Sequence, residues 1–130
     1  MKSILLAVIC LIAWTTHANE TELSPADFLA KHQALEKLSE DQIISGSKVL
    51  ESAVAKGADR PEAQLKPVFD LMFLLLRDDV TGYTVEAFDP LYRKKKSYFD
   101  SLLKKRSAAD QNLFRKRLEI FERESAEGNG

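Results

Sequence analysis

Three basic runs carry most of this chain's chemical potential: Arg93-Lys94-Lys95-Lys96, Lys104-Lys105-Arg106 and Arg115-Lys116-Arg117. Between residues 91 and 117 there are ten basic side chains and two acidic ones, Asp100 and Asp110, with Tyr92, Tyr98 and Phe99 interleaved. Clustered cations bind phosphates or carboxylates in a salt-dependent way, so this segment suits an anionic partner. The ordinary account is a solvated face that balances the acidic remainder. Residues 19–90 carry net −7 and residues 91–130 net +5, a segregation that steers association with charged surfaces or lets one half neutralise the other.

Other titratable groups form weaker constellations. His32 and Glu36 are spaced i,i+4 and can share a metal, but two ligands without a partner motif fall short of a site. A flank histidine beside Phe28 is the simpler account, and no metal site is expected. Asp78-Asp79 ends a strongly apolar stretch, where it stops a helix or starts a turn, since carboxylates are disfavoured at a helix C-terminus. Glycine-rich phosphate loops, nucleophile elbows and Ca²⁺ loops are absent from the sequence, and no cofactor is expected.

Compartment restricts the partner. "MKSILLAVICLIAWTTHANE" has a cationic start at Lys2, an apolar run from Ile4 to Trp14, and Thr16-His17-Ala18 ahead of a cleavage point after Ala18. That pattern reads as a cleaved secretory signal, too short for a bilayer span, which needs about 20 residues. Cys10 as a lipid-modified residue fits poorly, because Ile9 precedes it and the apolar run continues past it. The mature chain is then cysteine-free and without thiol chemistry, and its stability rests on packing. Asn19-Glu20-Thr21 forms a glycosylation sequon, relevant only in a eukaryotic secretory route. Nucleic acid is not the expected partner of an exported protein.

The elements that must position these groups are helical. Apolar residues recur at helical spacing, and capping signals mark helix starts at Ser24-Pro25, Ser39, Asp59-Arg60-Pro61, Asp89-Pro90 and Ser107. The fold class is all-α: about five helices in a bundle or orthogonal array over residues 19–124, with a frayed tail at 125–130. Pro67 either separates a short helix from the next one or kinks a single helix. Val80 to Phe88, containing Gly82, reads as the longest internal loop.

Helical projection assigns the faces. In "KPVFDLMFLLLRDD" eight of the nine residues from Val68 to Leu76 are apolar, while Lys66, Asp70 and Arg77 share a narrow wet stripe, so this is the central helix. The second helix aligns Ile43, Ser47, Leu50, Val54 and Gly57, with Gly46 beside them for close approach. The first buries Phe28, Leu35 and Leu38. Treated as one helix, residues 90–106 place Lys95 inside an apolar arc of Leu91, Tyr92, Tyr98, Phe99, Leu102 and Leu103. Arg117 likewise falls inside the arc of Leu113, Phe114, Leu118, Ile120 and Phe121, with Asp110 and Glu124 as same-face partners. Snorkelling stems account for both cations; a partly buried binding face is the alternative.

The functional expectation is a non-enzymatic exported or periplasmic helical protein that acts by contact with a protein partner, such as an inhibitor or immunity-type protein. The candidate contact residues are Arg93, Lys94, Lys95, Lys96, Lys104, Lys105 and Arg117. A carrier of a lipid or other apolar ligand is the alternative, its cavity lined by the central helix and an anionic head group met by Tyr92, Lys95 or Arg117. Docking on anionic lipid or envelope polymer is a weaker third.

Overall fold

The computed structural model describes residues 23–79 and 82–128. The expected secretory signal with Cys10, the sequon and the last two residues lie outside the described residues. The protein is all-α, with six helices among the described residues: α1 Pro25–His32, α2 Glu40–Gly57, α3 Lys66–Asp78, α4 Tyr83–Lys94, α5 Lys96–Lys104 and α6 Ala108–Gly128. A 3₁₀ turn, Glu62–Gln64, precedes α3.

Local chemistry sets most of the starts. Ser24 Oγ accepts from the Asp27 amide at 3.2 Å, and Ser107 Oγ accepts from the Asp110 amide at 3.1 Å. At Ser39 the capping box is complete: its Oγ accepts from Gln42 N at 3.2 Å, and its own amide donates to Gln42 Oε1 at 2.8 Å. Pro67 falls in the first turn of α3, where its missing N–H costs nothing, so it separates the 3₁₀ turn from the helix instead of kinking one.

α3 is the hub, packed against α1, α2, α4 and the 3₁₀ turn. Every residue from Val68 to Leu76 except Asp70 is buried. α2 approaches closely because it carries glycine at the crossings. A Cβ on Gly46 would lie 2.6 Å from Leu75 Cδ2 and 2.9 Å from Phe28 Cζ. At Gly57 the neighbour is Leu91 of α4, at 2.9 Å. The other side of α3 meets an aromatic cluster of Phe69, Phe73, Phe88, Tyr92, Phe99 and Phe114, drawn from α3, α4, α5 and α6.

Four sequence expectations need correction. The first helix stops at His32, so Leu35 is 41% exposed, while Leu38 is buried from the linker, its amide donating to Asp78 Oδ2 at 2.9 Å. The supposed loop up to Phe88 is helical from Tyr83 onward. Gly82 at φ 82° supplies the left-handed residue that begins it, a backbone position which favours glycine. Asp89-Pro90 therefore opens no helix and lies inside α4. Pro90 and Glu86 are both on its exposed face, so the carbonyl that Pro90 leaves without a donor lies toward water. Lastly, residues 90–106 are not one helix. The backbone breaks at Lys95 (φ −123°, ψ 36°), which ends α4 and precedes α5, raising the helix count from five to six.

Candidate functional site

The α5–α6 corner is built around Arg106. Its guanidinium lies 4.3 Å from the centroid of the Phe73 ring and 5.5 Å from that of Phe69. Nη2 donates to Asp70 Oδ1 at 2.7 Å, and Nη1 donates to Asp110 Oδ2 at 3.2 Å. Asp70 also receives Lys66 Nζ on its other oxygen at 2.8 Å, so the wet stripe of α3 is occupied by a charge network. With its side chain 26% exposed, Arg106 combines stacking with two carboxylates, and such cation–π contacts contribute about 0.5–2 kcal/mol. Asp110, a sequence candidate for pairing with Arg117, is thus engaged by Arg106.

A second cluster joins α4 to α5. The buried Tyr92 donates its hydroxyl to Asp100 Oδ1 at 2.6 Å, and Lys96 Nζ donates to Asp100 Oδ2 at 2.9 Å while lying 5.9 Å from the Tyr92 ring centroid. Burial pushes the Tyr92 phenol far above its ordinary range, and the bond to Asp100 adds to that. Burial alone would raise the Asp100 carboxyl, but the donors from Tyr92 and Lys96 outweigh it and hold the group below its usual 3.8. The Tyr92 donor is therefore committed within the molecule.

The pH dependence follows in sign. A carboxyl held low contributes stability above its unfolded value and loses it as pH falls through the folded one. Tyr92→Phe should cost about 1 kcal/mol at neutral pH, discounted because Asp100 is partly exposed. Urea unfolding at a series of pH values should show that gap narrowing once pH drops below about 3.8. A gap that is unchanged at low pH would mean the tyrosine acts through packing alone.

The remaining cations divide into paired and outward-facing groups. Arg93 donates Nε to Asp89 Oδ2 at 2.7 Å and lies 3.8 Å from Glu122, so α4 neutralises it together with the far end of α6. Lys96 is taken by Asp100. Lys95 sits half-buried at the α4–α5 joint, outside any continuous helical face, and Arg117 is half-buried on α6. Lys94, Lys104, Lys105, Arg115 and Lys116 are exposed, and among the described residues none forms an ion pair. Of the residues singled out from sequence, Lys94, Lys104 and Lys105 thus face solvent outside any ion pair, Lys104 within electrostatic reach of Asp100, while Arg93, Lys96 and Tyr92 are used internally. Arg106 was visible only as one member of a basic run. Its i,i+4 relation to Asp110 was a signal, but its partner Asp70 lies 36 residues away.

Two open grooves flank α2. One, of about 500 Å³, runs between α1, the second half of α2 and the 3₁₀ turn, with Val49, Ala53 and Leu65 in its wall and Lys56 and Arg60 beside them. The other, of about 480 Å³, lies between the first half of α2 and the α3–α4 junction and is lined by Glu40, Ile43, Ile44, Glu51, Asp78 and Tyr83, among others. His32 packs its ring 4.3 Å from Phe28, where burial and Lys31 lower its pKa. No cluster of three or more His, Cys, Asp or Glu with metal-binding potential occurs among the described residues. Nor is any described helix long and apolar enough to cross a membrane. Compared with protein-family models, with curated proteins and with solved structures, the chain matches none.

Proposed function

We propose that this chain is an exported, non-enzymatic binding protein that engages an acidic protein partner through the free cations around α5. The supporting observation is the residue of charge left after internal pairing: Lys94, Lys104, Lys105, Arg115 and Lys116 are exposed and outside any ion pair among the described residues, although Lys104 lies near enough to Asp100 to act on its carboxyl. They stand on helices anchored by the buried Phe99, Leu103 and Phe114, so the charges are presented from fixed positions. Rigid, complementary charge raises association rate and excludes wrong partners. The leader sequence supports export.

Capture from the envelope and secreted fractions at low salt tests this proposal. An acidic protein should be retained by the wild-type chain and released as ionic strength rises. Lys94→Glu/Lys104→Glu/Lys105→Glu should weaken its binding at least tenfold, about 1.4 kcal/mol, with unchanged helicity. Undiminished capture by that variant would reject the basic face. Salt-sensitive binding to anionic vesicles with no captured protein would favour a lipid surface instead.

A further inference from the structure

We infer that this protein self-associates head to tail, a ridge on α6 of one copy entering the acidic groove between α2 and the α3–α4 junction of the next. This goes beyond the proposed partner contact and shares only Lys116 with it. Three observations carry it. Two of the four exposed large apolar side chains among the described residues, Ile44 at 50% and Tyr83 at 42%, line the 480 Å³ groove together. Glu40 and Glu51, exposed and outside any ion pair among the described residues, lie along the same wall. A third exposed apolar residue, Ile120 at 40%, lies on α6 with Lys116 and Arg123, both exposed, four residues before it and three after. That spacing puts the three on one helical stripe.

The two surfaces complement each other in charge and scale. Glu40 and Glu51 are about 16 Å apart along α2, and Lys116 and Arg123 about 10 Å apart along α6, by helical rise. Long basic side chains splaying from the crest span the difference. Lys48 in the groove and the exposed Glu119 beside the crest supply a further opposite pair. Ile120 then meets Ile44 and Tyr83, removing apolar surface that each copy otherwise shows to water. Because groove and ridge are distinct patches, the contact is heterologous and propagates into open chains or closes into a ring. The chain's segregation, net −7 over residues 19–90 and +5 over residues 91–130, fits this polarity.

Sedimentation velocity on the full exported chain, from about 10 to about 500 µM, tests the contact in the range expected of a small interface. Average mass should rise with concentration, and the rise should weaken at least tenfold between about 50 mM and about 500 mM salt. Ile44→Glu and Ile120→Glu, both at exposed positions, should each be monomeric throughout while keeping wild-type helicity. The mixture decides polarity. Ile44→Glu retains its ridge and Ile120→Glu retains its groove, so together they should form a one-to-one dimer that grows no further. A wild-type chain that stays monomeric at every concentration, or variants that associate as wild type does, overturns the inference. Failure of the mixture to dimerise overturns the head-to-tail arrangement. Lys94, Lys104 and Lys105 lie outside both surfaces, so their triple charge-reversal variant should still self-associate, separating this result from the partner contact.

Discussion

Replacing Phe88 with alanine should destabilise the protein by about 3–5 kcal/mol, measured as a drop in the urea midpoint at unchanged slope. Phe88 is fully buried and lies at the meeting point of four helices. Its ring is 4.9 Å from Phe99 of α5 in an edge-to-face arrangement, 6.3 Å from Phe69 of α3, 6.4 Å from Phe114 of α6 and 6.2 Å from Tyr92 on its own helix. Truncation removes the transfer free energy of a buried ring and leaves a hole. Its walls are other rings packed against their own neighbours, so they cannot collapse inward. Aromatic pairs of this geometry add about 0.5–1.5 kcal/mol beyond area burial, which places the expected loss at the upper end. Against a total stability of about 5–15 kcal/mol, the variant should sit close to its folding threshold. Leu35→Ala, at a 41% exposed position, should stay within about 0.5 kcal/mol of wild type and serves as the contrast. A Phe88→Ala cost near that of Leu35→Ala would show that the aromatic cluster is not the keystone of the packing.

Phe88 also marks the limit of what the sequence discloses. The starts of α1, α2 and α6 were legible because each is capped by a serine within three residues of the amide it serves. The periodicity of α3 was legible because burial on nearly all sides leaves only the Asp70 stripe to interpret. Phe88 itself was assigned to the end of a loop. Gly82 resembles a break and Pro90 resembles a beginning, yet one starts and the other lies inside a helix that tertiary contacts sustain. Proline in the interior is tolerated where its ring faces water and Phe88, Leu91 and Tyr92 on the other face are buried. Propensity is a weak guide where three such side chains are buried together.

The candidate site was legible in composition but not in detail. Ten cations between residues 91 and 117 are a fact of sequence; which of them remain free is a fact of three dimensions. Arg93 is neutralised partly by Glu122, 29 positions on, and Arg106 by Asp70, 36 positions back. Neither pairing has a local signature. Lys95 fell inside an apolar arc only because the projection continued through a backbone break at that very residue. Once the helix is divided there, the unusual cation is Arg106, held on a phenylalanine face, and those exposed outside any ion pair are Lys94, Lys104 and Lys105 around α5 and Arg115 and Lys116 on α6. The acidic groove was equally hidden, since it joins Glu40 and Glu51 of α2 to Tyr83 across the end of α3.

Asp79→Ala should cost about 2–4 kcal/mol and loosen the start of α4 selectively. Asp79 is buried, and its Oδ2 accepts both the amide of Thr84 at 2.9 Å and the Thr84 hydroxyl at 2.6 Å. Thr84 is itself fully buried, so alanine strands two donors where water does not reach them, at about 1–3 kcal/mol for each unsatisfied group. Position explains the choice of residue. A carboxylate at the C-terminus of α3 is repelled by that helix's dipole, but the same carboxylate faces the N-terminus of α4, whose second amide it binds. Gly82 makes this possible by turning the chain through a left-handed residue, bringing Thr84 back toward Asp79. The carboxylate is thus the cap of α4, delivered from five residues upstream. Asp79→Asn keeps a carbonyl acceptor and should recover about half of the loss. Thr84→Val removes the hydroxyl, so the Asp79→Ala/Thr84→Val pair should cost less than the sum of the single changes, with a coupling of about 1 kcal/mol. Hydrogen exchange should report faster opening of the amides in the first turn of α4, with those of α2 little changed. Additive costs, or exchange accelerated uniformly across all helices, would mean that Asp79 stabilises the fold by some route other than this cap.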